Sequence, residues 1–233
     1  MQTFAADRQP PLTRADRAAS RYMVRIYLLM GVGIAISACA AFLVARNEML
    51  RNALFTTSGM TGVGWVVMLA PLLLVVTISA GVHRLAPRRA RALFFLYAAL
   101  VGLSLGEIAY AATGQSLAIT LLAAAGAFAA LALVGWAGAL DFSPFGAFFL
   151  LSLIALILLL VANLAIGSER LDFMLSAAGI VLFAALTAFD VQRLKRLYTT
   201  GDVRTATVGA LTLYLDFLNM FLSMLRFTGR ARR

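Results

Sequence analysis

Phe145-Gly146-Ala147-Phe148-Phe149-Leu150-Leu151-Ser152-Leu153-Ile154-Ala155-Leu156-Ile157-Leu158-Leu159-Leu160-Val161-Ala162-Asn163-Leu164-Ala165-Ile166 holds no Asp, Glu, Lys or Arg. A helix needs about 20 mainly apolar residues to cross the hydrocarbon of a bilayer, and this run supplies them. Comparable runs lie on both sides of it, at 25–46, 61–83, 92–113, 117–139, 172–190 and 207–226. With 145–166 they make seven predicted spans, so residues 24–229 read as one all-α transmembrane bundle. Their connections are short, which makes successive helices neighbours. No stretch outside the spans is long enough to fold by itself, and no internal repeat is visible.

Composition agrees. Hydrophobic residues make up 62% of the chain and charged residues 13%. A soluble domain carries roughly 45–50% apolar and about 25% charged residues. The net charge is +10, from 20 Lys+Arg against 10 Asp+Glu. A basic chain can bind nucleic acid, but here the bases sit in clusters between apolar runs, as topology signals do. Nucleic acid is therefore not expected as a partner; lipid is.

Residues 1–23 contain Pro10, Pro11 and several arginines and read as a mobile polar tail. Arg8, Arg14, Arg17 and Arg21 lie in it, Arg25 follows, and Arg84, Arg88, Arg89 and Arg91 fill the second connection. Arg193, Lys195, Arg196 and Arg204 fill the sixth, whereas the alternate connections hold little beyond Arg46, Arg51 and Arg170. Lys and Arg concentrate on the cytoplasmic side, which puts the N-terminus in the cytoplasm. The basic end 230–233, with Arg226 before it, conflicts with an odd number of full spans. Either the early helices dominate the topology, or the last segment is re-entrant.

Cys39 is the single cysteine, so no intramolecular disulfide can form; it reads as a small residue within a span. Ala98, Gly102 and Gly106 recur every four residues, a spacing that lets helix backbones approach closely.

Three acids stand out against this apolar background: Glu107, Asp190 and Asp216. An ionisable group in hydrocarbon costs roughly 2.5–3.5 kcal/mol on the mildest scale, so such residues face the bundle interior and are functional candidates. Thr212, Asp216, Asn219 and Ser223 share one face of an otherwise apolar helix. Asp190 closes the sixth span on a face with Ser176 and Thr187, and Arg193 stands one turn on. Glu107 follows Ser104 by about a turn and is a third oxygen source or an ion-pair partner. Asn163 calls for an interhelical hydrogen bond. His83, the single histidine, and Arg84 close the second span, where Arg84 either snorkels to the interface or turns inward to a carboxylate. Metalloprotease, Walker and GxSxG signatures are absent from the chain, and no enzyme or resident cofactor is expected.

The segment Ala210-Leu211-Thr212-Leu213-Tyr214-Leu215-Asp216-Phe217-Leu218-Asn219-Met220-Phe221-Leu222 resembles the signature of the Bax inhibitor-1 family. Leu186-Thr187-Ala188-Phe189-Asp190-Val191-Gln192-Arg193-Leu194-Lys195 is similar to a second segment of that family, and Ala92–Leu105 resembles its third span. The resemblance implies a bundle with the last helix central and a pH-sensitive calcium leak sensed by an aspartate pair. Asp190 and Asp216 are the matching positions, and Arg84 is the nearest candidate for an arginine that latches the pair. Glu107 matches no family position.

The chemistry suits that expectation. Two carboxylates sharing a poorly solvated site cannot both ionise cheaply and titrate as a unit. Calcium takes six to eight oxygens when held tightly. Asp190, Asp216, Asn219, Thr212, Ser223 and Glu107 offer few, which suits passage of Ca2+ better than storage. A non-conducting regulator that binds a membrane protease or another membrane protein is the alternative, and a proton-coupled exchanger a third reading.

Overall fold

The computed structural model describes residues 14–57, 59–81, 85–111, 114–138, 140–198 and 203–230. His83 and Arg84 lie outside them. The described chain is helical almost throughout: α1 (Arg14–Arg46), α2 (Glu48–Leu54), α3 (Gly62–Gly81), α4 (Pro87–Ser104), α5 (Gly106–Ala111), α6 (Gly114–Ala137), α7 (Gly146–Ile166), α8 (Glu169–Arg196) and α9 (Val203–Arg230). A two-stranded hairpin, β1 (Phe55–Thr56) and β2 (Gly59–Met60), separates α2 from α3.

Six of these helices are long and apolar enough to cross a membrane: α1, α3, α6, α7, α8 and α9. The third predicted span, 92–113, is instead divided. It becomes α4, which reaches back into the basic segment at Pro87, and the short α5, with a break at Leu105. There the Leu105 amide is shared between the carbonyls of Val101 and Gly102, at 3.0 and 3.1 Å. The break lies beside a close approach. A Cβ on Gly102 would stand 2.3 Å from Ser37 O, and one on Gly106 2.3 Å from Val44 Cγ1. This row thus presses α4 and α5 against α1, Gly102 on the Ser37 backbone and Gly106 on the Val44 side chain.

The polar N-terminal segment is also shorter than its composition suggests. Helix α1 begins at Arg14, and Ala19, Tyr22 and Met23 are buried. Apolar residues at helical spacing carry the first helix about three turns into a stretch that reads as tail.

Helix ends follow local chemistry. Asn47 Oδ1 accepts from Leu50 N at 3.1 Å, and Ser168 Oγ accepts from Leu171 N at 3.3 Å, each an N-cap. Gly167 closes α7 in the left-handed region, at φ 66°. Asn163 serves this turn: its Oδ1 accepts from Ser168 N at 3.2 Å. The bond is local to the α7–α8 connection, not the interhelical one its sequence position suggests, because the left-handed turn folds the next amide back over it. Helix α9 runs unbroken from Val203 to Arg230, without the chain reversal that a re-entrant segment requires.

Helix α9 packs against α1, α3, α4, α6 and α8, while α7 packs on α8. Tyr214, Leu211, Leu213 and Met220 of α9 lie among the largest fully buried side chains, with Phe94, Ile26 and Ile78. The outer faces are apolar: Leu150, Leu151, Ile154, Leu158, Val161 and Leu164 of α7 are all exposed, Leu164 by 86%. An apolar surface of this extent is stable in lipid, where the helical backbone satisfies its own hydrogen bonds.

Candidate functional site

The site is built where α8 meets α9. The two helices run antiparallel, and within their contact a Cβ on Gly179 would stand 2.6 Å from Ser223 Oγ. A side chain at position 179 would force the Ser223 hydroxyl to move; glycine leaves it room. Three turns along α8 from Gly179, Asp190 meets Asp216 side chain to side chain, each carboxyl the other's hydrogen-bonding neighbour. Asp190 is 8% and Asp216 6% exposed. Arg193, itself exposed, is the charge felt at Asp190. Asp216 Oδ2 is buried without a hydrogen-bond partner among the described residues. A carboxyl oxygen left so is costly to keep dry.

The polar face of α9 turns toward this interface. Ser223 is buried, its Oγ unpartnered among the described residues, and Asn219 and Thr212 are half-buried. Thr212 Oγ1 donates back to Val208 O at 3.1 Å. On α8, Thr187 and Ser176 are buried and donate to the carbonyls of Phe183 and Asp172, each at 2.7 Å. Glu107 is not brought here. It sits exposed in the first turn of α5, because the break at Leu105 turns a mid-span position into a helix start, where an acid is favoured. Among the described residues no group of three His, Cys, Asp or Glu side chains converges. The carboxyl pair stands as two acids, too few for a tight calcium site.

Three features go beyond the sequence expectations. The basic turn that follows Asp190 reads as a topology signal, yet it also clamps the loop between α6 and α7. Gln192 Nε2 donates to Leu140 O at 2.8 Å, and its Oε1 accepts from Phe142 N at 3.0 Å. Lys195 Nζ donates to Trp136 O at 2.7 Å and lies 4.5 Å from the Trp136 ring centroid. Arg196 pairs with Asp141 at 2.8 Å and also bonds the Ser143 hydroxyl. The Arg196 hydrogen bond, helped by the Ser143 amide and hydroxyl, lowers Asp141 to about 2. The second is Ser37, whose buried Oγ donates to Ala98 O and lies 2.7 Å from Tyr214 Oη, tying α1, α4 and α9. Tyr97 and Phe94 stand edge-on to the Tyr214 ring, so Tyr214 is fixed two residues from Asp216. The third is Asp172, buried in the first turn of α8. Its place at the first residue of the predicted sixth span is the signal that marks it.

A helical membrane protein with two acids joined between its last two long helices is the class that this fold and site define. A family model described as "Inhibitor of apoptosis-promoting Bax1" matches residues 19–233. The chain belongs to the Bax inhibitor-1 family. It is 36% identical over 218 residues to the inner membrane protein YbhL of Escherichia coli, covering 91% of this chain and 92% of the relative. An uncharacterized protein of Rickettsia prowazekii is 34% identical over 222 residues, covering 93% and 92%. One from Deinococcus radiodurans is 35% identical over 237 residues, covering 100% and 98%.

Proposed function

We propose that this chain is a pH-sensitive calcium leak of the bacterial cytoplasmic membrane, gated where Asp190 meets Asp216. In this reading α4 and α5 together make a seventh crossing, the bundle is organised around α9, and the N-terminus is cytoplasmic. Three features support that arrangement: the contacts of α9 with five other helices, the Lys/Arg bias of the connections, and the inner-membrane name of the Escherichia coli relative.

One observation carries the gate: two acids, both buried, touch across the α8–α9 contact. A pair so placed shares its protons, and a change in their number alters the force between the two helices. Asn219 and Thr212 on the same face, with water, offer weak oxygen contacts to a cation moving past. Arg84, at the end of the second span, is the proposed latch for the pair.

The test is calcium flux into liposomes as a function of pH. Purified protein is expected to pass calcium, and Asp216→Asn or Asp190→Asn to flatten the pH dependence. Flux no greater than in empty vesicles ends the leak reading and leaves a non-conducting regulator of another membrane protein. Flux with unaltered pH dependence in the double Asn variant leaves the leak but removes the gate.

A further inference from the structure

On the face of α9 turned away from Asp216, a cavity of about 750 Å³ opens between α1, α5, α6 and α9. Its volume falls within the roughly 300–1,000 Å³ of small-molecule sites. Small residues on α1 make the space, among them Ala38, Ala41 and Ala45, and Phe217 and Phe221 of α9 form its back wall. The mouth is lined by side chains exposed on the apolar outer surface, Cys39 and Phe42 among them.

What this cavity accepts follows from its polar groups. Ser37 and Tyr214 lie in its lining, but their hydroxyls bond each other at 2.7 Å. An apolar cavity without a group calling for water stays dry, and a dry apolar lining gives a metal ion nothing to exchange for its hydration. At one end stands Arg46, exposed, its guanidinium 5.2 Å from the Phe42 ring centroid. Nearby, Arg51 lies 4.0 Å from the ring of Tyr110, itself a lining residue. Among the described residues neither arginine makes an ion pair; the exposed acids Glu48 and Glu107 are not joined to them. An apolar slot that opens toward lipid and has Arg46 in its lining, with Arg51 stacked on a lining ring, matches an amphiphile with an apolar tail and an anionic head.

We infer that this cavity binds one anionic phospholipid of the surrounding bilayer, an acyl chain between α1 and α9 and the phosphate on Arg46. The arginine supplies charge-assisted donors to the phosphate, and the alanine-lined wall supplies the chain's contacts. Because α9 also carries Asp216 on its other face, the bound chain supports the helix that positions the carboxyl pair. The inference does not depend on calcium flux.

The experiment is native mass spectrometry of the full chain released from nanodiscs of equal phosphatidylglycerol and phosphatidylcholine. The parent protein is expected to retain one phosphatidylglycerol with about fivefold preference, the worth of one arginine near an anionic lipid. Arg46→Gln should bring that preference to unity while leaving the helical circular dichroism unchanged. Ala41→Phe should fill the cavity and remove the retained lipid. Equal retention of both lipids by the parent overturns the inference, and so does retention by Ala41→Phe equal to the parent's. Should Ala41→Phe fail to fold, the Arg46→Gln comparison decides alone: an unchanged preference refutes the assigned headgroup site.

Discussion

Removing the Ser37 hydroxyl tests the joint that fixes α9. Ser37 Oγ lies 2.7 Å from Tyr214 Oη and 2.7 and 3.0 Å from the carbonyls of Ala98 and Gly33. In Ser37→Ala, Tyr214, only 1% exposed, keeps its hydroxyl and loses this partner. A buried polar group so orphaned costs about 1–3 kcal/mol. Tyr214→Phe is milder, because Ser37 still donates to either carbonyl; the lost neutral bond is worth about 0.5–1.5 kcal/mol. The double variant removes both hydroxyls and strands neither, so its loss should fall short of the sum by about 1 kcal/mol. Each kcal/mol moves the midpoint of a chain this size by about 2–4 °C. The assay is thermal loss of monodispersity in one detergent, with all four proteins heated at one rate because irreversible midpoints depend on scan rate. Losses that simply add would refute the hydroxyl bridge.

Gly102→Ala should lower the same midpoint by the equivalent of about 1–3 kcal/mol, since the new Cβ meets Ser37 O at 2.3 Å and a backbone cannot swing aside. Gly31→Ala, with nothing within 4 Å, should instead be neutral or stabilising by about 0.5–1 kcal/mol; a loss there would mean helix propensity does not act at this site. Gly179→Ala should destabilise through Ser223 Oγ at 2.6 Å, and Ser223→Ala in the same chain, which removes that oxygen, should restore most of the loss; an unrestored pair argues against the α8–α9 contact. For the loop clamp the sign runs one way. Asp141 is lowered from 3.8 to about 2, so its support of the loop is complete above 3.8 and is lost as pH falls toward about 2. Protection of the Ser143 amide, bonded to Asp141 Oδ1 at 3.0 Å, should fall in that window. Arg196→Ala should move the loss up toward 3.8, and a parent protein that already titrates there refutes the clamp.

How much of this was readable in the chain differs from element to element. The run 145–166 is apolar on every face, so its helix is legible to within a residue, as Gly146–Ile166. Residues 14–23 were not legible, because their arginines mask the buried Ala19, Tyr22 and Met23. The break at Leu105 was not legible either, since it answers to Val44 and Ser37 on another helix. Asp190 and Asp216 announced themselves as acids among apolar residues; Glu107 did so equally, yet lies outside the site.

Lipid as the solvent, the course of most long helices and the conspicuous acids are all written in the order of residues. Composition and periodicity carry that information locally, because each span satisfies its own backbone. Which acids meet is a matter of packing between helices. Positions 190 and 216 meet across a helix pair in which Gly179 leaves room for Ser223, and Tyr214, two residues from Asp216, is held by Ser37 of another helix. Helix rotation and separation come from packing against residues distant in the chain, and side-chain spacing along a single helix does not encode them.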